Sequence, residues 1–546
     1  MSKNKLRIIP LGGLGEVGKN MMVYEYGKNI LIVDAGLMFP DNDMLGIDYI
    51  IPDFEYIKEN KDLVRGMVLT HGHMDHVGAI AHVLEEINVP LYATPLTRGL
   101  IENSLSEKGL LDKTTINTVH AGESATIGPF EVEFFHVCHS IPDSVGLGIT
   151  CPDGLIVHTG DYKFDPTPVD GWPTDFSKLA EFSGRGVLAL LADSTNADKP
   201  GWTPSEMVIN DSLDKVFRNA PGRIIVASFA SLVSRMQQVL DAAEHHGRKI
   251  AFVGRSMKQN SKMAKKLGYL KIPSDLEIGI EEALNMKPKD VVLMATGSQG
   301  EPYSIMGRLA RGTNKQFELI KDDTIVLSSH TIPGNEETVF KTINSLFRKG
   351  ANVIYEPIAG GVHVSGHAKQ DEMKLMLNMV NPKYLIPVHG ELRHLKQHAF
   401  LAEESGFPKE NVLVIENGQI IEFNDDKLQI KDRIPGSYVF VDGSRVGEIG
   451  PSVVREREQL AQDGVVLISL VLDSKGKLQE EPEIISRGFV YKHDEGDLID
   501  QTREKIVGIV NKSQGNLHND LVQSIRSFLH SKTKKRPVVL ATINFL

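Results

Sequence analysis

The stretch VLTHGHMDHVGAI, residues 68–80, sets four metal-ligand side chains, His71, His73, Asp75 and His76, within six positions. A β-type run, GMVLT, stops at the cluster. A helix is expected to begin at about Val77, with Val77, Ile80, Ala81, Leu84 and Ile87 on one face. A strand, loop and helix in that order throw all four side chains to one end of a sheet. An anion such as Asp75 is also favoured at a helix N-terminus. So short a loop cannot close a structural tetrahedral site alone. It can give two ligands to each of two neighbouring cations if other segments complete them.

Three later positions offer that completion. His139 follows VEFFHV, Asp161 ends GLIVHTGD and His389 ends YLIPVHG. Each stands at the C-terminal end of an apolar run, beside a turn residue. Seven nitrogen and oxygen ligands around two cations describe hydrolytic chemistry. Imidazole suits zinc or manganese, and a shared carboxylate such as Asp161 can bridge the pair. Two such cations acidify a water held between them and take up charge on substrate oxygens. Asp34, at the end of ILIVDAG, is a natural hydrogen-bond acceptor for one of the ligand histidines.

Composition sets limits. Charged residues at 24% and hydrophobic residues at 41% describe an ordinary globular chain of 546 residues, long enough for two to four domains. No apolar run approaches a membrane span, and MSKNKLRIIP lacks signal-peptide character. Two cysteines, Cys138 and Cys151, without a CxxC pairing, fit a reducing cytoplasm and leave metal binding to His and carboxylate. The net charge of −11 argues against coating nucleic acid by bulk electrostatics, though not against a local basic groove. The basic runs KQNSKMAKKLGYLK (258–271) and KTKKR (532–536) are expected to be solvated faces.

GGLGEVG contains Gly13, Gly15 and Gly18 at dinucleotide-fingerprint spacing, with Asp34 downstream. The fingerprint requires a helix to start at the third glycine. NMMVYEYGKNILIVDAG instead has β composition on both sides of Gly27, so a hairpin and a tight glycine loop are expected. Residues 1–204 alternate short strands and loops, and residues 205–370 alternate strands and helices as a parallel α/β unit does. Residues 371–445 return to a helix, YLIPVHGE and β-rich sequence, and residues 451–546 form a small α/β domain. Trp172 and Trp202 flank the first junction and are expected to pack as core or hinge. His82, His245 and His246 read as ordinary helix residues.

With HxHxDH, His139 and Asp161 in HTGD, the chain resembles the metallo-β-lactamase superfamily. The unit inserted before His389 resembles the β-CASP domain of its nucleases. Asp193 in LADSTN, His367 in HVSGHA and His389 in PVHGE match the three further motifs of that group. Members acting on DNA carry an apolar residue at the third, so His389 points to RNA. LGGLGEVGKN, HTGDYKFDPTPVDG, DSTNA, HVSGHA and IPVHGE extend the likeness to bacterial ribonuclease J over essentially the whole chain. The resemblance implies an α/β fold: an αββα metallo-β-lactamase sandwich with an inserted β-CASP domain and a small C-terminal α/β domain used in oligomerisation.

It also implies roles. His71, His73 and His139 would hold one Zn2+, Asp75, His76 and His389 the other (Mn2+ serving in activity), with Asp161 bridging. Carbonyls of Leu45 and Ile47, with Asp442, would hold a structural Ca2+. His363, Val364, Ser365, Gly366 and His367 would cradle a substrate phosphate, with Ser228 and Ser231 in SFASLVSR nearby. His367 would protonate the leaving 3′-oxygen, Asp75 would orient the nucleophile, and Asp193 and Asp34 would support them. The expected enzyme hydrolyses single-stranded RNA from a 5′-monophosphate end and internally, in mRNA decay and rRNA maturation. It would be a cytoplasmic homodimer or homotetramer, joined to a helicase or paralogous ribonuclease, with no membrane partner.

Overall fold

The computed structural model describes residues 4–41, 43–331, 335–356, 361–424, 427–489, 495–512 and 516–546. It divides into two compact units: residues 1–39 with 50–439, and residues 40–49 with 440–546. Among the described residues, no helix is long and apolar enough to cross a membrane.

Two sheets face each other in the larger unit. The first has eight strands in the order Lys427–Lys431, Ile420–Asn424, Leu6–Gly12, Met21–Tyr26, Asn29–Val33, Val64–Val68, Leu91–Ala93, Ile116–Thr118. The second has six, in the order Tyr384–Val388, Val187–Asp193, Gly154–His158, Val145–Cys151, Phe130–His136, Ser124–Ile127. Inward side chains of both, including Ile8, Tyr24, Leu31 and Val68 from one and Val132, Phe134, Ile156 and Ile386 from the other, form one buried cluster. Removing that much apolar surface from water, at roughly 25 cal/mol per Å2, is what holds the sheets together. Helices Phe176–Arg185 and Gln370–Val380 cover the outer face of the second sheet through Leu179, Phe182, Met373 and Met376.

The glycine-rich N-terminal stretch is a loop around a two-residue strand, Leu14–Gly15, paired in parallel with Gly390–Glu391, and the expected hairpin follows it, with Tyr26 opposite Asn29 and Gly27 at φ +64°. No helix starts at Gly18. The loop is knitted instead by Glu16, which accepts from Gly13 N (3.1 Å) and Asn417 Nδ2 (2.8 Å) and pairs with the buried Lys19 ammonium (2.7 Å). Its exit, Asn20, donates from its backbone N–H to Asp75 O (2.9 Å), so the glycine loop braces the HxHxDH segment.

Inserted in the larger unit is a five-stranded parallel sheet, ordered Lys249–Phe252, Val291–Ala295, Ile224–Ala227, Thr324–Leu327, Asn352–Ile354. The three central strands, Val291–Ala295, Ile224–Ala227 and Thr324–Leu327, are buried throughout, with helices on both faces, as parallel sheets require. The smaller unit contains a three-stranded sheet, ordered Glu483–Arg487, Val465–Leu472, Val538–Phe545. Alternate residues Val466, Ile468, Leu470 and Leu472 pack with Ile506 of helix Glu495–Val510 and with Leu521, Ile525 and Leu529 of helix Leu517–Thr533.

Two expectations are corrected. The helix expected from Val77 begins earlier, at Met74, and is interrupted: Met74–Val77 and Ile80–Glu86 are separate. The Ala79 N–H leaves the helical ladder to donate to Ala35 O (2.8 Å), although Val77, Ile80, Ala81, Leu84 and Ile87 are all buried as the periodicity demands. Trp172 and Trp202 are not core: they are 43% and 49% exposed, and Trp172 lies flat on His136 with ring centroids 4.0 Å apart.

Candidate metal centre

Strand direction gathers the site. Val33 pairs with Val68 in parallel, so Asp34 and the HxHxDH loop leave the first sheet at one edge. In the second sheet, strands Gly154–His158, Val187–Asp193 and Tyr384–Val388 run parallel, with Asp193 opposite Val388. Phe130–His136 points the same way, through two antiparallel pairings. Asp161, Asp193, His389 and His139 therefore stand at or just past strand ends on one rim. Asp34 and His389 hold left-handed backbone, φ +62° and +54°, a cost of order 1–3 kcal/mol per residue of the kind found at functional sites.

The first group is His71 Nε2, His73 Nδ1, His139 Nε2 and Asp161 Oδ2. His73 Nδ1 is 3.1 Å from both neighbouring nitrogens, and Asp161 Oδ2 is 3.6 and 3.7 Å from those of His71 and His139. The second is Asp75, His76, His389 and the same Asp161 oxygen. His76 Nε2 lies 3.2 Å from Asp161 Oδ2 and 3.6 Å from Asp75 Oδ2, and His389 Nε2 lies 3.3 Å from Asp75 Oδ2. Four ligands about 2.0–2.1 Å from a tetrahedral ion stand roughly 3.3–3.4 Å apart. Both donor sets fit that spacing, and Asp161 Oδ2 belongs to each. A third group, Asp161, Asp193, His367 and His389, is different. His389 Nε2 faces the second position, so its Nδ1–H is left to donate to Thr195 Oγ1 (2.8 Å) and Asp193 Oδ1 (3.3 Å). In that group Asp193 accepts from both His389 and His367, so its members are tied by hydrogen bonds.

The orienting contacts follow the same logic. His76 Nδ1 meets Asp34 Oδ2 at 2.8 Å, and Asp34 also accepts from Thr70 N and Thr70 Oγ1, both 2.8 Å. His139 Nδ1 donates to Gly366 O (2.8 Å), where a Cβ on Gly366 would meet the ring at 2.6 Å. His367 Nδ1 meets Asp193 Oδ2 at 2.8 Å, and no described residue bonds its Nε2. Thr195 and Asn196 stand in DSTNA and Asn20 in LGGLGEVGKN, stretches that the resemblance marks without giving these residues a role. Only adjacency to HGH marks Thr70.

Electrostatics separates the two positions. Burial, with His76 and other imidazoles nearby, pushes His71 and His139 well below the usual histidine range and His73 down to about 4. Burial opposes charge on His76 and His389 too, but Asp161 and the other carboxylates outweigh it. His76 is raised well above its ordinary value and His389 to about 10. Asp161 and Asp75 are held below the carboxylate range by those imidazolium neighbours, against burial. At neutral pH the metal-free protein therefore keeps protons at the second position and none on the first three histidines. A cation entering the second position must displace protons, so its affinity should fall by about tenfold per pH unit for each proton displaced as pH drops below about 10, the raised value of His389. Calorimetry in buffers of different ionisation enthalpy should show proton release for the second equivalent of zinc and almost none for the first.

Asp34→Asn, which tolerates the left-handed backbone, should lower zinc affinity at the second position by about 10- to 100-fold. The first position should be unaffected in a chelator-competition titration.

Other expected site residues fall differently. Val364 is buried, and His363 Nδ1 is buried without a hydrogen bond among the described residues. Ser228 is buried and its hydroxyl donates to Phe229 O (3.2 Å). Ser231 N-terminally borders helix Val233–His245 and is partly exposed. In the smaller unit, Arg457 donates to Leu45 O (3.2 Å), Gly46 O (3.1 Å) and Asp442 Oδ2 (2.8 Å). The guanidinium meets the charge of the groups expected to hold a structural cation, and Ca2+ would have to share Asp442 with it.

A two-layer sandwich with seven closely set histidines and aspartates on its rim, compatible with metal binding, and a parallel α/β insertion is the architecture of a metallo-hydrolase of the metallo-β-lactamase superfamily with a β-CASP domain. The sequence matches the metallo-beta-lactamase superfamily over residues 14–201 and the Ribonuclease J, beta-CASP domain over 221–346. It also matches the Zn-dependent metallo-hydrolase RNA specificity domain over 353–414 and the Ribonuclease J C-terminal domain over 452–545. It is 42% identical to ribonuclease J 1 of Streptococcus pyogenes serotype M3, over 100% of this chain and 98% of that one. It is 41% identical to ribonuclease J2 of Bacillus subtilis (98% of each) and 39% to ribonuclease J of Thermus thermophilus (99% and 95%). A crystal structure of a protein of unknown function from Enterococcus faecalis V583 shares the fold, with TM-score 0.53 and 17% identity, over 77% of this chain and all of that one. The chain belongs to the ribonuclease J family, the metal-dependent ribonucleases of this architecture.

Proposed function

We propose that this ribonuclease hydrolyses single-stranded RNA at two Zn2+ positions, with Mn2+ also supporting activity, both from a 5′-monophosphate end in the 5′-to-3′ direction and internally. The carrying observation is that the Asp161 oxygen is shared by two tetrahedral-spaced donor sets, one of which is tied through His139 to the 363–367 loop. When bound, the two cations supply an acidified water and neutralise charge on the scissile phosphate. The protein does the rest. His363 Nδ1, Ser365 and the backbone of the 363–367 loop hold a neighbouring phosphate and set the scissile bond over the rim. Asp75 accepts a hydrogen bond from the attacking water as well as ligating. His367, oriented by Asp193, protonates the departing 3′-oxygen from Nε2. Products then carry 5′-phosphate and 3′-hydroxyl ends, and discrimination against DNA rests on contacts to the 2′-OH.

The smaller C-terminal unit serves homodimer or homotetramer assembly, and the enzyme works in the cytoplasm in mRNA decay and rRNA maturation, beside a helicase or a paralogous ribonuclease. A lactonase or thioesterase would need only a small pocket and would have no use for the inserted domain. The test is body-labelled, 5′-monophosphorylated single-stranded RNA with manganese, zinc or magnesium, run beside matched DNA and Asp75→Ala protein. Metal-dependent release of 5′-mononucleotides from RNA, abolished by the substitution, is expected. Cleavage of DNA alone would overturn the RNA assignment.

A further inference from the structure

Strand Val187–Asp193 ends in a tight turn in which Asp193 Oδ1 accepts from Thr195 N (2.9 Å), and this turn delivers Asn196 to the 363–367 loop. Asn196 is 2% exposed, and its Nδ2 donates to Ser365 Oγ (2.8 Å) and to His367 O (3.0 Å). The amide orientation is fixed by the second partner. A carbonyl oxygen can only accept, so the NH2 side must face it. Thr203 Oγ1 donates to the same carbonyl (2.7 Å), which pins the loop from a second side.

The consequence falls on Ser365. A hydroxyl has two lone pairs and one proton. Its oxygen accepts from Asn196 Nδ2 and from His367 N (3.3 Å), which uses both lone pairs. The proton is thereby aimed away from both, and no described residue accepts it. An ionised phosphodiester offers only acceptors, so a serine locked as a donor is matched to phosphate.

We propose that Asn196 is a positioning residue that fixes Ser365 as a hydrogen-bond donor to an RNA phosphate oxygen. The inference rests on the reading of residues 363–367 as the phosphate cradle. It makes Asn196, rather than any aspartate, necessary at that place. A carboxylate 2.8 Å from Ser365 would draw the hydroxyl proton inward and would face His367 O with like charge.

The test is a double-mutant cycle on the full-length, zinc-loaded protein with 5′-monophosphorylated single-stranded RNA. Asn196→Asp and Ser365→Ala are each expected to raise KM by about tenfold, the worth of one charge-assisted hydrogen bond, with a smaller change in kcat. The double variant should be no worse than the poorer single variant, because Asn196 acts through Ser365. Zinc content and thermal midpoint check that each variant is folded, and Asn196→Ala, which adds no charge, closes the same cycle if Asn196→Asp does not fold. Penalties that multiply in the double variant would overturn the positioning role while leaving the cradle intact. A Ser365→Ala protein with unchanged KM would instead remove the phosphate cradle, and the proposal with it.

Discussion

Asp161→Asn protein should lose at least one of the two proposed zinc equivalents and about a thousandfold or more in kcat on RNA. One oxygen, Asp161 Oδ2, stands 3.2–3.7 Å from ligand nitrogens of His71, His139 and His76, so a single side chain serves both positions. An amide keeps the shape but offers a neutral oxygen or an NH2 group, and neither bridges two cations. Charge stabilisation by metal ions is worth several kcal/mol at a phosphoryl transition state, and about 4 kcal/mol is a factor of a thousand. Burial should not rescue the variant, since Asp161 is only 2% exposed and no water can take the place of its charge. Metal analysis of the purified variant beside its kcat reads the prediction. Full zinc content with activity within tenfold of the parent would contradict a bridging role.

The second large effect separates proton transfer from metal binding. His367→Ala should lower kcat by about a hundred- to ten-thousandfold with zinc content unchanged, because His367 is held by Asp193 and belongs to neither donor set. RNA with sulfur in place of the bridging 3′-oxygen should restore most of the loss, since a thiolate leaves without a proton. An equal loss on both substrates would assign His367 to binding.

The part of this site legible in the sequence is the part marked by strand ends. Asp34, His139, Asp161, Asp193 and His389 each follow an apolar run, and parallel strands carry such positions to one rim whatever the intervening sequence. The HxHxDH loop was legible for another reason: four ligand types in six positions leave little else for a loop to do. Partners that act across the chain were not legible. Nothing near Thr195 announces His389, or near Asn196 announces Ser365, because those contacts exist only once the inserted domain returns the chain to the sandwich. The helix after His76 shows the limit of periodicity. The buried face is right, but one backbone bond from Ala79 to Ala35 splits the helix, and no side-chain pattern encodes it. The resemblance already set Leu45 and Ile47 beside Asp442, but Arg457 on Leu45 and Gly46 was hidden in the same way.

The central claim is that water, and not the substrate's own 2′-hydroxyl, attacks phosphorus at the Asp161-centred rim. It is tested most directly by cleaving RNA in 18O-labelled water and analysing the ends by mass spectrometry. One 18O in each newly formed 5′-phosphate, opposite unmodified 3′-hydroxyls, is the predicted result. A 2′,3′-cyclic phosphate or 3′-phosphate, with no label at 5′ ends, would contradict it.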